Sequence, residues 1–322
     1  MSDRFPMPMP FGWFGIGYSD ELAIGEVRNV HYFNRDMVLF RTESGRLGLA
    51  DPACPHLGAH LGHGGTVQGE SIRCPFHHWQ YATDGVITDI PYASRIPPKW
   101  EGKPCLKTYP VCEENEVIWA WYHPEGAAPD HEVIALDEID DPEWSERARF
   151  QWSFDSCPQE IAENGVDVAH FKYVHGMEAV PEGETSYEKH IRRSRVSGSR
   201  TVSDEAGNEF EIESAVRVVQ NGAGQKWVRF SGFMEYLLQV LVTPVNDARV
   251  EVRFIYIHRP YAEDSFEYMG IQGAIESTNG QRGLEGDGDG PIMRFRKYFA
   301  QFYVGGPYPD EGGLPADLEA VS

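Results

Sequence analysis

Residues 54–81 read CPHLGAHLGHGGTVQGESIRCPFHHWQY. Two short loops stand out: Cys54-Pro55-His56, then 17 residues, then Cys74-Pro75-Phe76-His77. Each loop offers one thiolate and one imidazole. Two thiolates can hold one iron of a [2Fe–2S] cluster, and two imidazoles can hold the other. Exchanging two thiolates for neutral imidazoles removes negative charge and raises the reduction potential above that of an all-cysteine ferredoxin. The histidine-held iron then becomes the natural entry point for an electron. A Cys2His2 zinc site would use the same residue types, but zinc fingers usually pair Cys with Cys and His with His. Pro55, Gly58, Gly62, Pro75 and Phe76 also build tight turns that let backbone N–H groups approach bridging sulfides. His60, His63 and His78 fall outside the pattern and read as surface or packing residues.

Outward from this stretch, the chain is strand-like from Ala23 to Trp121. Runs such as VLFRT, LGLA, SIRCPF and VIWAWY are separated by Gly, Asp and Asn turns, with Ser44-Gly45 and Asp84-Gly85 as tight turns between antiparallel strands. A Pro-, Gly- and Ala-rich stretch, YHPEGAAPDHEV, follows as a linker. The expected organisation is therefore a lead (1–20), an all-β domain (21–125) and a second domain (126–322). In the second, residues 158–176 read as helix. EFEIESAVRVVQ, KWVRFSGFMEYLLQVLV and ARVEVRFIYIHRP read as long strands of an antiparallel sheet. PIMRFRKYFAQFYV, opened by Pro291, predicts a final amphipathic helix. The fold class is α+β: a small β domain followed by a curved antiparallel sheet gripped by helices.

The second domain carries a further constellation, ENGVDVAHFKYVHG at residues 163–176. His170 and His175 are five residues apart, about 140° beyond a full helical turn. They can share one face only if the helix ends near Val174, which Gly176 favours. Two imidazoles and a carboxylate form the facial triad of non-haem Fe(II) oxygenases.

The chain has 322 residues, 28 Lys plus Arg against 50 Asp plus Glu, and a net charge of -22. Such a surface repels phosphate backbones and anionic lipid, so nucleic acid is a poor partner. A small electron carrier or reductase with a basic docking patch is a better one. The longest apolar stretch (residues 236–245) is half the roughly 20 residues that a membrane span needs. The N-terminus lacks a smooth apolar run, and five cysteines do not form a disulfide framework. The expectation is a cytoplasmic protein. No glycine fingerprint for a dinucleotide follows a strand, so flavin or nicotinamide would sit on another protein.

Residues 54–81, with DGVITDIPYA and VIWAWYHPEG, resemble the cluster-binding segment of Rieske-type non-haem iron oxygenases. The likeness is nearest to the 3-ketosteroid 9α-hydroxylase oxygenase and cholesterol 7-desaturase branch, and ENGVDVAHFKYVHG is similar to its mononuclear-iron motif. The resemblance implies a Rieske [2Fe–2S] cluster on Cys54, His56, Cys74 and His77, and a mononuclear Fe(II) on His170 and His175. It implies that Asp167 bridges to a cluster-ligating histidine of a neighbouring subunit in a head-to-tail homotrimer, with Asn164 a polar group near the iron and Glu163 a helix-face charge. The family places an Asp ligand ahead of the last segment. Here no Asp occurs between Asp264 and Asp287. Glu276 sits closest to the expected place, Asp264 is the runner-up, and Asp287 and Asp289 read as cap or turn residues.

The implied activity is a terminal monooxygenase taking electrons from a separate NAD(P)H-dependent reductase, with or without a ferredoxin, and using O2. It would hydroxylate, dealkylate or desaturate an apolar, steroid-like polycycle. The alternatives are a smaller aromatic or alkaloid-like substrate, or a Rieske electron carrier with a degenerate catalytic domain. Trp227, Val228, Phe230, Phe233, Met234, Tyr236, Leu238 and Val240 are core residues by default, and some of them would line the pocket.

Overall fold

The computed structural model describes residues 7–163, 165–166, 183–203, 209–232, 234–263, 265–280 and 290–304. The chain divides into two units, one of residues 13–132 and one of residues 1–12 with 133–322.

The first unit is built from ten short strands. They are β1 (Gly12–Tyr18), β2 (Val27–Tyr32), β3 (Arg35–Arg41), β4 (Leu47–Ala50), β5 (Thr66–Gln68), β6 (Ser71–Arg73), β7 (Gln80–Ala82), β8 (Ile87–Asp89), β9 (Val111–Glu114) and β10 (Val117–Tyr122). They form three sheets, ordered β1-β10-β9, β2-β3-β4 and β5-β6-β7-β8. The two expected turns are present: Gly45 joins β3 to β4 and Gly85 joins β7 to β8, with φ of 91° and 82°. Gly85 is obligatory for a second reason, because a Cβ there would lie 2.0 Å from the Leu106 carbonyl oxygen. Two further hairpins turn without glycine. Phe33-Asn34 and Asn115-Glu116 each hold both residues at positive φ, the primed geometry that matches strand twist. Positive φ is costly for Phe, roughly 1–2 kcal/mol. Burial of its ring, stacked on Tyr122 at 4.8 Å, offsets that. Part of the expected lead is strand: β1 is buried along its whole length and neighbours β10.

The second unit is one seven-stranded sheet. Its strands are β11 (Glu146–Phe154), β12 (Gly183–Glu188), β13 (Ile191–Ser203), β14 (Glu209–Asn221), β15 (Gln225–Ser231), β16 (Tyr236–Asn246) and β17 (Arg249–His258). All pairs are antiparallel, in the order β11-β17-β16-β15-β14-β13-β12. The helices among the described residues are α1 (Asp137–Asp140), α2 (Pro158–Glu163), α3 (Phe266–Gly280) and α4 (Gly290–Phe299). The run KWVRFSGFMEYLLQVLV, read as one strand from sequence, is the hairpin β15–β16. It breaks at Gly232, whose φ of 139° and backbone approach to Glu213 exclude a side chain.

Even-numbered residues of the central strands (Val228, Tyr236, Leu238, Val240, Val252, Tyr256) pack against Ile271 and Ile275 of α3. The odd-numbered Leu237, Leu241, Ile255 and Ile257 are fully buried on the other face. There the Gln225 amide both accepts from the Ile134 N–H and donates to the Ile134 carbonyl. With both faces covered, β16 is buried without alternation, unlike a half-solvated antiparallel strand. The expected final helix is α4. Phe295, Tyr298 and Phe299 face inward while Arg294 and Lys297 face solvent. Phe302 follows, and its carbonyl accepts the Phe11 N–H at 2.7 Å, joining the segment ahead of β1 to the segment behind α4.

Candidate iron centres

The two metal loops leave the sheets where the strands end. Cys54 follows β4, and Cys74 follows β6 directly. Backbone bonds close both loops: Gly58 N–H to the Cys54 carbonyl, Cys54 N–H to Ala59, and Cys74 N–H to Trp79. Cys54 and Cys74 belong to the unit's hydrophobic core, beside Leu61, Ile72 and Tyr81. His56 is half-buried and His77 is exposed. The thiol pair is therefore buried and the imidazole pair lies nearer solvent, so that a cluster held by these four residues would exchange electrons through imidazole.

The donor set fits a [2Fe–2S] cluster. The two thiols are near enough to perturb each other, and the two imidazoles lie edge-to-face with centroids 4.7 Å apart. The donors thus gather as two like pairs, one for each iron. Among the described residues, no three His, Cys, Asp or Glu side chains converge as one metal ion would demand. Burial pushes the Cys54 thiol up, while the Tyr81 hydroxyl and the His56 backbone N–H favour the thiolate.

Three aromatic residues, two inside the motif and one beyond it, touch the candidate ligands or one another, and the ligand spacing alone did not single them out. The Tyr81 hydroxyl lies 3.1 Å from Cys54 Sγ. The Trp79 ring stacks on His56 at 4.5 Å and 7°, and its Nε1–H donates to the Tyr92 hydroxyl at 2.7 Å. Hydrogen bonds to ligating sulfur stabilise the reduced, more negative cluster. Tyr81→Phe should therefore lower the reduction potential, by tens of millivolts, with iron and sulfide content unchanged. Protein-film voltammetry checks this, and an unchanged potential would show that the hydroxyl plays no part in tuning.

Of the residues expected around the mononuclear iron, Asn164, Asp167, His170 and His175 lie outside the described residues, as do Asp264, Asp287 and Asp289. Glu276 is described: it is exposed on α3, one residue past the buried Ile275. Glu163 differs from the expectation of a helix-face charge. It is 5% exposed, and Arg296 of α4 grips its carboxylate with Nε and Nη2, each at 2.7 Å. The Gln159 amide donates to it as well, and the Tyr303 hydroxyl in turn donates to Gln159. A short-range helical reading cannot see a partner 133 residues away. The pair ties α4 to α2 at the entrance to the iron-motif segment.

Two family models match the chain, the Rieske [2Fe-2S] domain over residues 12–110 and the 3-Ketosteroid 9alpha-hydroxylase C-terminal domain over residues 120–282. Cholesterol 7-desaturase nvd 1 of Ciona intestinalis is 33% identical over 175 residues, 54% of this chain and 36% of that protein. The chain thus spans well under half of that relative. Cholesterol 7-desaturase nvd of Bombyx mori is 30% identical over 94% of this chain and 71% of its own. The 3-ketosteroid-9-alpha-monooxygenase oxygenase component of Rhodococcus rhodochrous is 28% identical over 91% and 83%. Among solved structures, apo dicamba monooxygenase superposes with a TM-score of 0.68 at 16% identity, covering 92% of this chain and 97% of the other, a likeness of fold. With the cluster loops intact and the catalytic-domain model continuing directly behind them, the chain belongs to the Rieske non-haem iron oxygenases that carry a 3-ketosteroid 9α-hydroxylase C-terminal domain.

Proposed function

We propose that the chain is a terminal oxygenase that uses O2 and reductase-supplied electrons to hydroxylate, dealkylate or desaturate an apolar, steroid-like polycycle. The observation that carries this reading is the juxtaposition, in one chain, of a cluster-binding unit and a ketosteroid-hydroxylase-type unit whose sheet turns an apolar face toward α3. When bound, the cluster supplies single electrons and the mononuclear iron supplies the site of O2 activation. The protein's own residues do the rest. Cys54, His56, Cys74 and His77 hold the cluster with its histidine end at the surface, and His170, His175 and a carboxylate hold the second iron. Asp167 fixes an imidazole tautomer across a subunit boundary, and Asn164 supplies a polar group near the iron. The apolar face of β15–β17 orients the substrate and excludes water.

The partners follow from the same reading: a separate NAD(P)H-dependent reductase, with or without a ferredoxin, in the cytoplasm. Leu57, Phe76 and Tyr92 crowd the cluster loops yet are 70%, 68% and 63% exposed. An apolar rim around a redox centre suits docking of a second protein surface. A homotrimer, each cluster serving its neighbour's iron, uses that rim. Sedimentation equilibrium on the loaded enzyme should return three chains. A fully active monomer would exclude the arrangement. No helix among the described residues is long and apolar enough to cross a membrane.

Metal content is the first test. Anaerobically purified protein should hold about three irons and two acid-labile sulfides per chain. Two of each, persisting after Fe(II) addition, would move the electron-carrier reading ahead. Glu276→Ala should then remove about one iron and leave the sulfide unchanged. Three irons retained would mean that the third donor is another residue.

A further inference from the structure

The helix-covered face of the second unit's sheet is apolar at one end and cationic at the other. Register places Arg192 on β13 opposite Gln220 on β14, and Gln220 opposite Lys226 on β15. The same row runs on through Val240 of β16, Phe254 of β17 and Phe150 of β11. At a strand spacing of about 4.8 Å, the six residues span roughly 24 Å. Arg192, Gln220 and Lys226 are 0%, 1% and 9% exposed.

Two cations thus share one interior, and among the described residues no carboxylate pairs with either. Arg192 Nη1 donates to the Gly165 carbonyl and the Ser194 hydroxyl, and the guanidinium lies over the Phe295 ring at 5.2 Å. Among the described residues its Nε and Nη2 are buried and without a partner, and so is the acceptor Gln220 Oε1, whose amide N–H donates to the Gly222 carbonyl. Nε and Nη2 form the side of the guanidinium that a carboxylate bridges with two parallel hydrogen bonds. Lys226 stands one strand beyond Gln220, on the side toward the apolar end. Burial, and then the Arg192 charge, push its ammonium down to about 7. As mere filling, a methionine or leucine would pack at either position at far less desolvation cost. Gly165 and Arg192 also approach so closely that a Cβ on Gly165 would meet Nη2 at 3.1 Å, so the cationic end adjoins the iron-motif segment.

We propose that Arg192 and Lys226, on either side of Gln220 in the row, form a binding site for an anionic group of the substrate, a carboxylate whose apolar polycyclic body lies along Val240, Phe254 and Phe150. The proposal deepens the steroid-type reading and rests on it for the identity of the body, though not for the anion. A carboxylate bridging Arg192 and reached by Lys226 offsets one of the two buried positive charges and meets the guanidinium Nε–H and Nη2–H. It also fixes which end of an elongated substrate approaches the iron segment.

Isothermal titration calorimetry on the metal-loaded, full-length protein tests this with two probe pairs. One pair is 3-oxoandrost-4-ene-17β-carboxylate and its methyl ester, and the other is 1-adamantanecarboxylate and its amide. The acid of a pair should bind the native protein at least tenfold tighter than its neutral mate. Lys226→Met should cut that preference at least threefold and leave the neutral mate's affinity unchanged, while Lys226→Arg retains the preference. If only the adamantane pair shows a Lys226-dependent preference, the anion site stands and the steroid body falls. If neither acid outbinds its mate, or the preference is undiminished in Lys226→Met, the cations are structural and the proposal is overturned.

Discussion

Replacing Cys74 with serine should yield a chain with no acid-labile sulfide and no O2 consumption under reduction. Cys74 is 1% exposed, sits in the core under the metal loops, and holds its loop closed through the Trp79 carbonyl. A serine oxygen is a hard donor where the cluster needs soft thiolate. Loss of one sulfur ligand also removes the histidine-held iron, because the two irons are bridged. Metal-ligand bonds that exist only in the folded state contribute their binding energy to folding. The first unit should therefore become protease-sensitive while the second stays folded. Cys157→Ser, a half-buried cysteine in the second unit, is the control and should keep full sulfide. Sulfide content equal to the native protein's in Cys74→Ser would remove the assignment of the whole donor set.

The second large effect concerns Arg296→Met. It leaves the Glu163 carboxyl group, 5% exposed, without its bidentate partner. Breaking one side of a buried ion pair costs about 3–5 kcal/mol, a large share of a domain's stability. Calorimetry should show the second unit melting earlier and the first unchanged. Because the pair anchors the helix that leads into the iron motif, mononuclear iron should fall below one per chain with sulfide intact. Glu163→Leu combined with Arg296→Met should recover most of the stability, since an apolar pair of similar volume avoids the uncompensated charge. A single variant as stable as the native protein would show the pair to be solvent-relaxed.

What the sequence disclosed and what it withheld follow from range. The Rieske domain is legible because its four candidate ligands and their turn residues lie within 24 consecutive positions, so spacing alone suggests the donor set. The Gly45 and Gly85 turns and the final helix are equally local. β1 escaped because GWFGIGY is buried on both faces and shows no alternation. Burial on both faces likewise hid the β15–β16 hairpin, where only Gly232 marks the turn. Glu163 was misjudged because its partner lies on another helix, and the row from Arg192 to Phe150 exists only once five strand pairings are known. A lone carboxylate has no local signature, so the proposal of Glu276 as the third iron donor rests on position in the chain.

The pairing of β11 with β17 carries a consequence for how the protein comes into being. Phe154 meets Val250 and Glu146 meets His258, so the strand made first in this sheet bonds to the one made last. Ribosomes add about 5–20 residues per second, which leaves β11 without its neighbour for roughly 5–20 seconds of synthesis. Phe11 waits longer still for Phe302. The unit of residues 13–132 closes when β10 joins β1, and can finish while more than half of the chain is still unmade. Birth order along the ribosome thus separates the two centres in time: the cluster pocket is ready for assembly well before the catalytic sheet has a second edge.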